Sequence, residues 1–527
     1  MAVSSKPKDS EEYLISRGVS ETGRAANAFP LTPGWEMALG RDLTGPSASD
    51  PPVLTILGKG RVRGRFASPV TVFVILSVVF GLAALFANPP LRGPDESAHF
   101  LRVFGILDGD IIPSTQDERG RKGLLIPAAL YDDYKFFETE RQKFGTRGFN
   151  YWTVFDEYQR RRGARTAGKD ERPPVFVPYN GSEAYSPAPY IPYIVAVAIG
   201  RILGLDFLCL LYLMRIVGFF AMTAVAAYAI AIVPHLKWTF VLVAMLPSVL
   251  FGRTAVGADG ATLSFTLVGT ALCLWSACQL SREGLWKRAT FMTLCSLSKP
   301  PQIAFLVMEF FAHPLHELRR RLGAVALVVL PGLILTALWV TATSADVGTW
   351  RVVDGTNTPG ELFEPKRKLL LLLNHPLHFP ALVMGSLGAW DVKELWRQLI
   401  GVLGWLDTGL RDWVYPTVSG LLVASCFAPL PLTPAKRYQI AAASVLTFTA
   451  YVFAVYFIFY MTWTPVDADW IWGVQGRYFV VLLAPMALTC AALVNWGPGE
   501  MTRSAIAICG ATLSGAAVVD ALIRANW

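Results

Sequence analysis

The feature that most constrains this chain is a series of apolar runs, each long enough to cross a lipid bilayer. A helix needs about 20 apolar residues to span a hydrocarbon core of roughly 30 Å. The first run is SPVTVFVILSVVFGLAALFAN, near 68–88. Others fall near 207–233, 238–253, 261–280, 323–343, 413–432, 438–461, 478–496 and 504–523. Inside a bilayer every backbone polar group must be satisfied within the protein, so such runs fold as helices. Only 16% of the 527 residues are charged and 53% are hydrophobic, against roughly 25% charged in a soluble domain. This balance excludes a soluble enzyme, a disordered chain and a disulfide scaffold. The expected fold is an all-α polytopic membrane protein with about 10–11 transmembrane helices.

Charge placement predicts the topology. Residues 1–66 are polar and Pro/Gly/Ser-rich, and read as a disordered cytoplasmic tail ending in Lys59, Arg61, Arg63 and Arg65. Residues 67–527 form the membrane domain. Basic residues before a first span hold that side in the cytoplasm. The long polar segment 89–187 is then the first extracytoplasmic loop, with a second large outer segment at 344–412. The loops with His235/Lys237, Arg282/Lys287/Arg288, Arg319/Arg320/Arg321 and Lys436/Arg437 all reach the cytoplasmic side under one assignment. It requires 189–205 to lie in the interface without crossing. It also requires 289–312 to form a hairpin with Lys299-Pro300-Pro301 at its outer tip.

Several chemistries are missing. There is no P-loop, dinucleotide-binding glycine motif, HExxH or GxSxG. The seven cysteines lack CxxC spacing and read as small core residues. The net charge of +8 comes without a basic block interleaved with aromatics, so no nucleic-acid partner is expected.

Five constellations remain, and the assignment places them all on the outer face. In GPDESAHF (93–100), Pro94 and the acids suit a helix start. At 100° per residue Asp95, His99 and Arg102 share one stripe, and Phe100, Val103, Phe104 and Leu107 oppose it. This predicts an amphipathic interfacial helix, whose carboxylates either cap it or act as a general base. In Arg253…Asp259, the acid is either an N-cap or faces a polar cavity. Lys299, within an apolar stretch, either snorkels or holds a lipid phosphate. In Gln475-Gly476-Arg477-Tyr478, the arginine either anchors to headgroups or clamps a phosphate with its planar fork. Asp407, in GVLGWLDT (401–408), either forms a turn or lines a cavity.

These motifs, with PPLRGPDESAHFLRVFGILDG (89–109), YSPAPYIPYIVAVAIGRILGL (185–205), GADGATLSF (257–265), SLSKPP (296–301) and VQGRYFVVLLAP (474–485), resemble the bacterial domain-of-unknown-function family 2142. That family in turn resembles the GT-C integral-membrane glycosyltransferases. The resemblance covers about 65–525 and implies a GT-C-like bundle in the inner membrane, N-terminus inside. It implies sugar transfer from a polyprenyl-phosphate-linked donor to a cell-envelope glycan or lipid acceptor. Asp95 is then the catalytic base, with Glu96 beside it and Asp259 at a second acidic position. His99, Arg102, Lys299, Asp407, Gln475, Arg477 and Tyr478 are candidate substrate contacts. A divalent cation (Mg or Mn) on Asp95, Glu96 and Asp259 is compatible with the pattern. The resemblance transfers a fold and a reaction class, not a substrate. A flippase for a lipid-linked saccharide and a non-catalytic partner in envelope assembly are the competing readings.

Overall fold

Prolines and the lengths of the apolar runs set the order of elements. The computed structural model describes residues 68–527 apart from 119, 148–149, 165–171, 280–283, 344–349, 354–355, 360–363 and 390–391. The expected tail 1–66, and Arg282, lie outside the described residues. Helix α1 (Pro69–Ala87) starts on a proline whose missing N–H is no loss at a helix start. The following segment folds into a cap of α2 (Glu96–Leu107), β1 (Gly123–Ile126), α3 (Ala128–Arg147), α4 (Tyr151–Ala164) and β2 (Val175–Pro178). Strands β1 and β2 pair antiparallel, Gly123 opposite Pro178. Next come α5 (Ile191–Ile202), α6 (Phe207–Ile232), α7 (Lys237–Met245), α8 (Pro247–Thr254), α9 (Asp259–Gln279) and α10 (Leu285–Ser298). A 3-10 segment, Pro300–Ala312, precedes α11 (Leu322–Thr343). A second segment carries the hairpin β3 (Trp350–Val353) and β4 (Thr356–Pro359), then α12 (Pro365–Asn374), α13 (His378–Ala389) and α14 (Val392–Gly401). The short hairpin β5 (Val402–Leu403) and β6 (Thr408–Gly409) leads to α15 (Val414–Cys426) and α16 (Pro434–Trp463). A 3-10 turn, Gly476–Leu482, opens α17 (Leu483–Val494), and α18 (Glu500–Asn526) follows.

The long helices run between two ends. At one end the Trp527 indole donates to the Ala87 carbonyl (3.1 Å), joining α18 to α1. Trp339, near the end of α11, donates to Ala184 below the cap (2.8 Å). At the opposite end Trp238 of α7 donates to Glu500 of α18 (2.7 Å), and Lys436 of α16 to the His313 carbonyl (2.9 Å). Helix α9 is almost wholly surrounded by protein, whereas α11 lies at the periphery. The cap has its own aromatic core. The Phe100 ring meets Phe104 at 4.8 Å and Phe207 at 5.3 Å, and Phe137 meets Tyr158 at 4.9 Å.

Seven described helices are long and apolar enough to cross a membrane, and a bent pair, α12 with α13, adds an eighth candidate. Proline explains why other expected runs are divided. Pro247 holds Leu246 extended and splits 238–253 into α7 and α8. The run at 413–432 is helical only to Cys426, before Pro429 and Pro431. Lys299, extended ahead of two prolines, separates α10 from the 3-10 segment, giving the expected hairpin with lysine at its tip. Helix α5 is 12 residues long, about 18 Å and too short to span. It lies antiparallel beside the first half of α6: Tyr193 packs on Gly218, and Leu210 on Gly200.

One expectation is corrected. Helix α2 does not lie on the membrane surface with a solvated stripe. Residues 96–106 are all buried, because the cap covers the face that amphipathic patterning assigned to water. An expected surface helix is in fact buried between the rest of the cap and the bundle.

Candidate active site

Three prolines (89, 90 and 94) force a tight path between α1 and α2 and leave Leu91 and Asp95 at φ 58° and 52°. Aspartate tolerates this left-handed conformation, but leucine does so only where the surroundings hold it. Two ion pairs provide that hold. Glu96, wholly buried, takes a forked pair from Arg215 of α6 (2.7 and 2.6 Å). It also accepts the backbone N–H groups of Gly93 and Val256 (3.0 Å each). Arg215 continues to the carbonyls of Asn88 (2.7 Å) and Pro89 (2.8 Å). Arg92 forks onto Asp407 (2.9 Å to each oxygen), fastening the loop to the β5–β6 hairpin.

Asp95 stands at the N-cap position of α2, yet its carboxylate makes no capping bond. It accepts instead from Arg477 Nη2 at 3.0 Å. Arg477 Nη1 reaches Asp259 at 3.4 Å, and Lys299 Nζ pairs with the other oxygen of Asp259. Asp95, Arg477, Asp259 and Lys299 therefore form a string of alternating charge. Four separate parts of the chain meet there: the loop after α1, the start of α9, the tip of the α10 hairpin and the turn before α17. Gln475 accepts from Arg477 Nε (2.6 Å), and Gln398 of α14 accepts the Gly476 N–H (2.8 Å). The Tyr478 ring lies under both cations, 5.3 Å from each, and the Tyr185 ring is 5.8 Å from Lys299. The Asp95 side chain is 49% exposed and that of Arg477 only 14%, so the carboxylate is the open end of the string. Asp259, Lys299, Arg477 and Tyr478 line a cavity together with the apolar Val249, Leu263, Val480 and Val481.

His99 borders this cluster from within α2. Its Nδ1 is 2.6 Å from the Tyr190 hydroxyl, and the Tyr185 ring meets it edge-on. Burial pushes its pKa down to about 4, although Asp95 and Asp259 pull the other way, so the imidazole is neutral at pH 7.

The structure separates the expected site residues into two groups. Asp95, Asp259, Lys299, Gln475, Arg477 and Tyr478 gather in one cluster, and His99 adjoins them. Of these, Asp259, Lys299, Arg477 and Tyr478 line the cavity, while Asp95 and Gln475 join through Arg477. Three others do different work. Glu96 is saturated by Arg215 and two backbone N–H groups, so it holds the turn and does not face the cavity. Arg102 turns away into the cap and donates to the carbonyls of Asp110 (2.8 Å) and Ile111 (2.6 Å). Asp407 is engaged by Arg92. Arg253 is buried elsewhere, donating to the Ala244 carbonyl at 2.8 Å, with the Phe73 ring 5.1 Å away. Sequence reasoning missed Tyr185, Tyr190, Arg215 and Gln398. An arginine in the middle of an apolar run was the available signal for Arg215.

A divalent cation, compatible with the sequence pattern, does not fit this arrangement. Asp95 and Asp259 already face Arg477 or Lys299 at hydrogen-bonding range. Among the described residues no group of three His, Cys, Asp or Glu side chains is placed to hold a metal.

Fold and site together define a polytopic α-helical membrane protein with a pinned, alternating-charge cluster beside the cap. The chain belongs to the family described as predicted membrane protein (DUF2142), which it matches over residues 78–486. No curated protein and no solved structure matches it.

Proposed function

We propose that this protein is an integral-membrane glycosyltransferase. It moves a sugar from a polyprenyl-phosphate-linked donor to a cell-envelope acceptor on the extracytoplasmic face. The observation that carries the reading is Asp95: a carboxylate held at positive φ, released from capping duty and left half-exposed beside Arg477. The small cavity that Arg477 shares with Asp259 and Lys299 is lined by both charged and apolar side chains, a mixture compatible with a phosphate group carried on an apolar chain. The resemblance of GPDESAHF to the acidic first-loop motif of GT-C enzymes supports the same role. Charge distribution supports the sidedness: Arg319, Arg320, Arg321, Lys436 and Arg437 lie at the end remote from the cluster.

In this reading the acceptor hydroxyl approaches Asp95 from outside. Its oxygen attacks C1 of the sugar while its proton passes to the Asp95 carboxylate. The C1–O bond to phosphate breaks, and its electron pair leaves with the phosphate, so the anomeric centre inverts. The oxocarbenium-like charge at C1 is of the kind met in glycoside hydrolysis. Lys299 and Arg477 neutralise the departing phosphate from fixed positions. Glu96 acts as a positioning residue, through the turn that aims Asp95.

The test compares envelope glycolipids and glycans by mass spectrometry in a deletion strain complemented with wild type or Asp95→Asn at matched expression. The expected result is loss of one sugar, restored by wild type alone. Removal of a general base lowers turnover by about 10² to 10⁴. Equal restoration by both versions overturns the assignment and favours the transport or assembly readings.

A further inference from the structure

The paired helices α12 and α13 are not used by the reaction above. Their axes bend by 108° at the short break between them. The chain reaches them from the end of α11 that touches the cap, and leaves into α14, whose Gln398 holds the turn before Arg477. Both approaches are at the site's end, so the pair does not cross the bundle.

Its inner side is fastened to protein. Lys368 donates to the carbonyls of Tyr460 (2.6 Å) and Thr464, groups left without partners where α16 ends. Ser386 accepts the Ile471 N–H (2.8 Å), and the Phe379 ring packs against Phe457 at 5.7 Å. The outer side is the reverse. Leu370, Leu373, Leu377 and Met384 are 60%, 71%, 79% and 68% exposed. Beside it the Phe379 ring meets, at 6.1 Å, the exposed Phe453 of α16, a helix long enough to span. Exposed Lys366 and Arg367 stand at the first turn of α12, Arg367 with Glu364 at 3.6 Å and Asp467 at 3.9 Å. Contiguous apolar surface of this kind calls for an apolar cover, and basic residues beside it suit an anionic headgroup layer.

We infer that α12–α13 is an in-plane element embedded in the phospholipid leaflet on the site's side. Its leucines lie among acyl chains, and Lys366 and Arg367 lie at anionic headgroups. It gives the loop leading to Arg477 a lipid-facing wall. The inference does not depend on the transferase reading.

The test uses the full chain in vesicles of phosphatidylethanolamine and phosphatidylglycerol doped with a phospholipid carrying an acyl-chain diazirine. After photolysis, adducts are mapped by peptide mass spectrometry, with hydroxyl-radical oxidation of a parallel sample. The expected result is lipid adducts on 369–387 as abundant as on the exposed face of α16 at Val445 and Leu446, with little oxidation of Leu373 and Leu377. An anionic diazirine lipid labels α12 more than a zwitterionic one, by about fivefold for each basic residue, and Lys366→Gln with Arg367→Gln removes the preference. Oxidation without lipid adducts places the surface in water and overturns the inference. Protection from both reagents, with α16 still labelled, means a protein covers it and overturns it equally.

Discussion

Adjacent carboxylates have different work here. Glu96 lies in a forked pair with Arg215, wholly out of solvent, and removing one partner of such a pair costs about 3–5 kcal/mol. Glu96→Ala is therefore expected to lower the melting temperature of the detergent-solubilised protein clearly, and Asp95→Asn to leave it near wild type. Equal losses in the two variants would contradict the division of labour. His99 gives a second handle. Its pKa is about 6.5 in the unfolded chain and about 4 in the folded one, because burial disfavours the imidazolium. Between these values the unfolded state binds more protons, so stability falls as pH drops from about 6.5 to 4 and changes no further below that. Melting temperatures across this range should show that decline, and His99→Gln should reduce it while keeping a side chain able to hydrogen bond to Tyr190.

At the scale of elements, the site depends on breaks in helices. Lys299 and Arg477 both sit where helical geometry is interrupted, one by Pro300-Pro301 and the other by the turn at Gly476. A Cβ added to Gly476 would lie 1.8 Å from the Leu395 carbonyl oxygen, so α14 and this turn approach closely only because the residue is glycine. Gly476→Ala is expected to shift Arg477 and to lower transfer by about 10², the scale of a 1 Å misplacement. Envelope glycan analysis of the complemented strain checks it. The break at Pro300-Pro301 was legible in the sequence, because proline acts on its own backbone; the turn at Gly476 showed only as the opening of the 478–496 span. The burial of α2 was not legible. Its stripe of Asp95, His99 and Arg102 has the pattern of a solvated face, and only the fold of 109–187 over it decides otherwise. The partner of Glu96 was also illegible, since Arg215 lies 119 positions away on another helix.

At the scale of the whole molecule, the proposed sidedness has a direct check. Asp467 is 90% exposed at the site's end, and Arg320 is exposed at the other. An impermeant maleimide added to intact cells is expected to label Asp467→Cys and to reach Arg320→Cys only after permeabilisation; the reverse pattern would invert the topology. Hydropathy sufficed to read helical class and most of the long spans, because it follows from the bilayer as solvent; the runs at 238–253 and 413–432 proved shorter than a span. Hydropathy and loop charge did not show which polar residues meet, since that depends on how the breaks stack at one end. The alternating string has one more consequence. Its formal charges, two positive and two negative, already balance, so an anion that binds there must compete with carboxylates for the same guanidinium. Affinity is then set by how readily Arg477 exchanges partners. The partner most easily surrendered is the exposed one, Asp95, so an arriving anion would itself release the carboxylate that the proposed transfer needs.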